Sequence, residues 1–336
     1  MFETLSLMST LLLFTTIAPL LPGEHWTIRV WEFPRVQLFV LLLVTLLGWG
    51  INFGSHLTTS LVFMVALGAA IFYQVLWIIP YTRLWKKEVV RVKEAKAEQC
   101  ISVMTSNVYM YNENYAGLKG LVKENKPDLL ITLETNGKWE KELAELHDSY
   151  PHRLACPLEN LYGMHLYSRI PFKAEKIRYI IEEGVPSMEV TIELAGQEVV
   201  VYCLHPKPPS PTENETAGPR DAELAVIGRE VAEKTVPVIV AGDLNDVAWS
   251  PTTRKFRKSS GAKDPRRGRG FFNTFHAKYP PIRWPLDHVF HSAEFDLVHI
   301  KRLPGYGSDH FPLLTKLQLN ANRIKHVSSS DQKTGK

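Results

Sequence analysis

The amino-acid sequence predicts an α/β protein: a four-layered sandwich, two packed mixed sheets flanked by helices, preceded by three transmembrane helices. Three observations predict it. Residues 36–82 contain no Asp, Glu, Lys or Arg, and neither do residues 4–23, although the whole chain is 22% charged. Beyond residue 85 charges are frequent, and apolar runs of strand length alternate with stretches of helical spacing. Some of those runs are joined by turn residues alone, and helices interleaved with hairpins pack as helices outside two sheets.

The membrane elements come first. A spanning helix needs about 20 apolar residues to cross a hydrocarbon core roughly 30 Å thick. Helices near 4–22, 36–53 and 58–80 meet that length, with a break at Asn52, Gly54, Ser55 and His56. Trp26, Trp31, Trp49, Trp77 and Trp85 fall near the interfaces, where aromatic side chains concentrate. A cleaved signal peptide fits poorly, because Glu3 and no Lys or Arg precedes the first apolar run. The chain thus divides into an anchor (1–82), a charged linker (83–98), a catalytic domain (99–319) and a disordered polar tail (320–336). Three spans put Arg29 and Arg35 on the same side as Arg83, Lys86, Lys87, Arg91, Lys93 and Lys96. The positive-inside rule makes that side cytoplasmic in an inner or plasma membrane.

In the soluble part, ISVMTSNVYM reads as a buried strand, and residues 115–125 as a helix stopped by Pro127. DLLITLE is a second strand, followed by a helix over 138–147. YGMHLYSR and AEKIRYII are strands, and MEVTIEL and QEVVVYCLH form a hairpin about Ala195 and Gly196. Residues 219–234 form a helix, PVIVAGD a short apolar strand, and LDHVFHS, FDLVHIKRL and HFPLLTKLQL close the sheets. Residues 206–219 and 255–270 read as loops.

Cys100, Cys156 and Cys203 are odd in number and widely spaced, which argues against a disulfide framework or structural zinc. No P-loop, nucleophile elbow or H-E-x-x-H is present. Polar residues instead gather at strand ends. Asn107, Glu134 and His205 each end a strand, Asp243 and Asn245 follow another, Asp287 begins one, and Asp309 and His310 lead into the last. A lone carboxylate after a strand is usually a turn residue. Six such placements on a sheet rim can converge on one site. Hard oxygen ligands such as Glu134 suit Mg²⁺ or Mn²⁺, which bridges to substrate phosphate and polarises it. Histidines near carboxylates supply proton transfer. The expected chemistry is phosphate-ester hydrolysis.

The motifs SNV (106–108), LLITLE (129–134), CLHPKPP (203–209), VIVAGDLND (238–246), LDHVF (286–290) and GSDHFPL (307–313) resemble, in order, those of the endonuclease/exonuclease/phosphatase superfamily. The resemblance implies that Glu134 binds the metal with Asn107 beside it on metal or phosphate, and that Asp309 contributes to the metal site. It implies that Asp243 and Asn245 orient the attacking water and bind the scissile phosphate, and that His310 is the general base. It further implies that His205 is a leaving-group acid or phosphate donor, and that Asp287 fixes a histidine tautomer. HPKPP, Arg220 and GDLNDVAWS resemble the bacterial membrane-anchored branch related to the teicoplanin/vancomycin resistance-associated membrane protein. That places Arg220 among the phosphate-binding residues, and it implies a catalytic domain outside the cytoplasm, against the charge rule.

His165, His276, His288, His291 and His299 read as packing or surface residues, His288 because strand alternation turns it away from Asp287. The basic run 263–269 reads as a solvated loop, and Trp249 and Trp284 as either cleft or core. The function expected is hydrolysis of a phosphoester or pyrophosphate, with a membrane lipid as the partner the anchor suggests. A nuclease is the alternative, less favoured because the net charge is only +4. A non-catalytic membrane adaptor is the third reading, and a complete set of site residues argues against it.

Overall fold

A computed structural model describes residues 1–53 and 56–324. Its N-terminal part holds α1 (Phe2–Ile17), the short α2 (Trp26–Arg29), α3 (Arg35–Ile51) and α4 (Leu57–Ile78). Two helical stretches, Phe2–Leu20 and Leu57–Tyr81, are long and apolar enough to cross a membrane; a third counts only if Trp26–Glu32 and Arg35–Ile51, bent by 72°, are taken as one span. Buried polar side chains pair inside the bundle beside apolar Leu38, Leu42 and Leu67, while large apolar side chains stand on its outside. Buried Trp49 donates to Ser9 Oγ at 2.9 Å, and buried Arg35 donates to Gln74 Oε1 at 3.1 Å. Val65, Phe72 and Leu7 meanwhile stand 73, 65 and 63% exposed. A water-soluble bundle would show the reverse pattern.

Arg35 is thus engaged inside the bundle, and Arg29 pairs with Glu32 and Asp221. Neither is a free interfacial charge.

The soluble part contains β1 (Cys100–Asn107), α5 (Tyr115–Asn125), β2 (Leu129–Leu133), α6 (Gly137–Glu142), β3 (His152–Cys156), β4 (Met164–Ser168), β5 (Phe172–Arg178) and β6 (Ser187–Leu194). It continues through β7 (Gln197–Leu204), α7 (Gly218–Glu233), β8 (Val238–Asp243), α8 (Pro251–Ser260), β9 (Asp287–His291), β10 (Phe295–Arg302) and β11 (Leu313–Leu319). Six strands pair in the order β10-β11-β1-β2-β4-β3, and five in the order β5-β6-β7-β8-β9. In each sheet one central pair is parallel, β1 with β2 and β7 with β8, and the other pairs are antiparallel. The sheets are therefore mixed.

Their facing sides interdigitate through Val103, Ile131 and Leu166 from one sheet and Val190, Val201 and Ile239 from the other. Each such fully buried side chain contributes roughly 1.5–3 kcal/mol. Helices α5 and α6 cover one outer face through Leu118, Val122 and Trp139. Helices α7 and α8 cover the other through Leu224, Ile227 and Phe256. Four layers result. The hairpin between β6 and β7 turns at Ala195 and Gly196, both with positive φ. The three cysteines are free, and Cys203 lies in the core.

Three expectations are corrected. The charged segment 83–98, read as a linker, is a strap across the edge strand: Val89 is buried, Val92 donates to Leu297 O and Leu297 to Val90 O, both at 2.9 Å. The run 263–269 is not a solvated loop. Arg266 is fully buried and bonded to Asp264, the Asp287 carbonyl and His288. Residues 320–324, placed in the disordered tail, instead dock on the domain, with Asn320 and Arg323 both reaching Asp296; the rest of that tail lies outside the described residues.

The N-terminal helices pack directly against the α/β domain. Tyr81 donates to the Ala248 carbonyl, Trp249 to the Glu32 carbonyl, and Arg254 to the Leu76 and Trp77 carbonyls at the end of α4. Trp249 is therefore core.

Candidate active site

Strand pairing builds the site. Asn107 ends β1, and Glu134 follows the parallel neighbour β2. Across the sandwich Asp243 ends β8 directly opposite Asp287, the first residue of β9. Gly242 is required beside it: at φ +144° a Cβ there would come within 2.0 Å of the Leu204 carbonyl oxygen. Two non-glycine residues at the rim adopt left-handed backbone, Glu134 (φ 59°) and Asn245 (φ 50°). Asn tolerates that region; Glu does so at a cost held by the surrounding contacts, a pattern typical of functional sites.

The side chains meet. Asn107 Nδ2 donates to Glu134 Oε1 at 2.7 Å and to Asp243 Oδ2 at 3.2 Å. Asp243 Oδ1 accepts the Asn245 N–H at 2.8 Å. His310 Nδ1 lies 2.8 Å from Asp287 Oδ2, and its Nε2 lies 3.5 Å from Asp243 Oδ2. Asn245 Nδ2 donates to the Pro206 carbonyl, next to His205, at 2.9 Å. His205 is buried and its Nδ1 has no partner. Asp309, half-buried, is close enough to act electrostatically on both Glu134 and His310.

The electrostatics follow from burial and crowded carboxylates. Burial pushes Glu134 up to about 7, with Asp309 and Asp243 adding and Asn107 and His310 opposing. Burial disfavours charge on His310, yet Asp287, Asp243 and Asp309 outweigh it and raise the ring to about 10. Burial lowers His205 to about 4, so that it is neutral at neutral pH. Glu134, Asp243, Asp287 and Asp309 together form an acidic cluster offset by one histidine.

That donor set fits a divalent cation. Asp243, Asp287 and His310 offer ligand atoms within 4.8 Å of one another. Within that trio, however, His310 is already hydrogen-bonded to Asp287. Glu134, whose Oε1 accepts from Asn107, adds hard carboxylate oxygens to the same rim, with Asp309 beside it. Asn107 Oδ1 accepts the Tyr109 N–H at 3.0 Å, and its nitrogen bridges two carboxylates.

Arg220 lies elsewhere. It is 1% exposed and donates to the Asn245 carbonyl at 2.9 Å and to Asp221 at 2.8 Å, with Asp246 3.4 Å away. It supports the Asn245 turn from behind and does not face the mouth, contrary to the phosphate-binding expectation. Its place on a helix, one layer out, was invisible in the motif. His288 bonds Arg266 and the Asp246 carbonyl, away from the mouth.

Several residues were missed. Ser308 Oγ accepts the His310 N–H at 3.0 Å and donates to the Asn107 carbonyl at 2.8 Å, and the Ser preceding Asp-His was the available signal. Thr274 Oγ1 accepts the Asp287 N–H at 3.1 Å. The Phe275 ring packs 5.0 Å from His310, and Tyr162 packs 5.4 Å from His205 while bonding Glu213.

A rim where paired carboxylates, an Asp-buttressed histidine and a cation seat converge from two packed sheets defines a class of metal-dependent phosphoester hydrolases. The chain belongs to the endonuclease/exonuclease/phosphatase family, which its residues 104–310 match. TDP2 from D. rerio, complexed with a single-strand DNA product, shares the fold at TM-score 0.55 with 16% identity, over 65% of this chain and 99% of that one. An endonuclease/exonuclease/phosphatase from Bacteroides vulgatus gives TM-score 0.54 and 15% identity over 66% and 99%. These identities show the fold alone. Methionyl-tRNA formyltransferase from Streptococcus suis is 29% identical over 102 residues, which is 29% of this chain and 32% of that protein. The chain thus spans about a third of that relative, whose activity is not transferred.

Proposed function

We propose that this protein is an integral membrane phosphohydrolase that cleaves a lipid-linked phosphoester or pyrophosphate by water attack. One observation carries the reading: the relay Asp287–His310–Asp243 opens beside the anchor. Phe275 packs on His310, stacks on Trp284 at 6.0 Å, and Trp284 meets Phe33, just before α3, edge-on at 5.7 Å. Three aromatic steps separate the catalytic ring from the anchor. Trp284 therefore belongs to this connection.

Bound at Glu134 and Asp309, Mg²⁺ or Mn²⁺ would polarise the phosphoryl group. The chain's own residues do the rest. Asp287 holds the His310 Nδ1 proton and so aims Nε2 at the mouth. With His310 raised to about 10, neither it nor Asp243 is the base alone; the coupled pair receives the proton of the attacking water. Neutral His205 hydrogen-bonds a phosphoryl oxygen, because an imidazole at about 4 is not the proton donor to the leaving group at neutral pH. Asn107 and Asn245 fix the carboxylates.

The purified full chain with Mg²⁺ should release a phosphorylated headgroup from a phospholipid or an isoprenoid pyrophosphate, and Asp243→Ala and His310→Ala should abolish the release. Wild-type activity in both variants would remove the site. Plasmid nicking without lipid turnover would replace this reading with a nuclease, and inertness toward every phosphoester with metal binding intact would leave an adaptor. We place the domain on the cytoplasmic side, from Arg83, Lys86, Lys87, Arg91, Lys93 and Lys96. A C-terminal reporter active only outside the cytoplasm would reverse that.

A further inference from the structure

Where the strap crosses β10 a cavity of about 380 Å³ opens, lined by Arg83, Lys87, Arg91 and Arg269 over an apolar floor of Phe272 and Leu297. No Asp or Glu lines it. The nearest strap carboxylate, Glu88, is occupied by Arg257 at 2.6 Å and by the Asp264 N–H at 3.1 Å. Among the described residues, none of the four cations forms an ion pair.

The cavity is tied to the end of the last apolar helix. Gly268, in its wall, donates to the Pro80 carbonyl at 2.9 Å. A Cβ on Gly268 would meet the Lys86 backbone at 2.7 Å, so strap and wall are in direct contact. Two guanidinium groups are preset: Arg269 donates to the Pro265 and Val89 carbonyls, and Arg91 to the Val298 carbonyl at 3.3 Å. Burial and the neighbouring Arg91 both press Arg269 below its ordinary value, a repulsion that an anion would relieve.

We propose that this cavity binds the phosphate headgroup of an anionic membrane lipid, with the first carbons of its chains on the Phe272–Leu297 floor. Cations clustered just beyond a membrane helix attract anionic headgroups, and paired guanidiniums match phosphate oxygens. The site shares no residue with the hydrolytic mouth. It rests on the membrane placement proposed above, which alkaline carbonate extraction tests separately.

The test is native mass spectrometry of the full chain in dodecyl maltoside, titrated with phosphatidylglycerol, phosphatidylcholine or inorganic phosphate. Phosphatidylglycerol should bind preferentially. The triple variant Arg83→Gln, Lys87→Gln, Arg91→Gln should bind it about 100-fold more weakly, at roughly fivefold per cation. The charge-matched Lys123→Gln, Lys141→Gln, Lys176→Gln variant should bind it normally, and neither should change turnover of a soluble phosphodiester. Arg83→Glu repeats the test with a side chain that holds no hydrogen bond in the fold. Equal binding of the two lipids, undiminished binding in both pocket variants, or displacement of the lipid by equimolar inorganic phosphate would overturn the proposal.

Discussion

Replacing Arg220 with Met separates support from substrate binding. The side chain is buried, donates to the Asn245 carbonyl and Asp221, and lies 3.4 Å from the fully buried Asp246. Methionine fills similar volume but leaves buried Asp246 without its nearest cation, while half-buried Asp221 keeps Arg29. Removing one partner of a buried ion pair costs about 3–5 kcal/mol. For a domain of this size each kcal/mol lowers Tm by about 2–4 °C, so a loss of roughly 10 °C is expected in differential scanning fluorimetry. Freed from its anchor, the Asn245 turn would no longer hold its N–H 2.8 Å from Asp243 Oδ1. A misplacement near 1 Å costs about 100-fold in rate. In hydrolysis of bis(p-nitrophenyl) phosphate, kcat should fall by about 10- to 100-fold with KM nearly unchanged. An unaltered Tm together with a raised KM would refute the reasoning, because it would put Arg220 on the substrate phosphate.

Other outcomes follow from single side chains. Glu223 on α7 is raised to about 8, chiefly by burial, with Arg178 opposing and Glu182 adding. Its folded pKa lies above its unfolded one, so its contribution is fully present below about 4.5 and is lost as pH rises through 8. Glu223→Gln should match wild-type Tm near pH 4 and exceed it at pH 9 by an amount equivalent to a few kcal/mol; parallel Tm profiles would contradict this. Chelation with EDTA should abolish turnover, and Glu134→Gln should remove the rise in Tm that Mg²⁺ gives wild type; an undiminished rise would place the cation elsewhere. Gly242→Ala should prevent accumulation of folded protein, since its Cβ would lie 2.0 Å from a backbone oxygen; a normal melting curve would show that β7 and β8 can separate there.

What the sequence revealed and what it hid divide along a physical line. Strand ends were legible because apolar runs stop abruptly at Asn107, Glu134, His205 and Asp243, and the sheet edge that gathers them follows from the pairing of those runs. Helix α8 was missed because Phe256 is its single large apolar side chain, although Ser250 caps its start and left-handed Gly261 ends it. The edge strand β3 was missed because the apolar face of its HRLAC is only two residues, Leu154 and Cys156, and only partly buried. Arg220 was read as a phosphate ligand and Arg266 as part of a solvated loop because their charge partners, Asp246 and Asp264, do not form recognisable sequence patterns with them. Burial of a charge depends on the tertiary partner, and periodicity carries no record of it.

The strap has a bearing on how the soluble half could exist alone. Strand β10 is the outermost of its sheet, and the strap's Val90 and Val92 satisfy backbone groups of Leu297 that would otherwise face water. Severed just before Cys100, the domain would keep its catalytic residues yet offer a bare ribbon to the next molecule, an invitation to stacking between copies. Severed nearer Thr82, it would carry its own selvage.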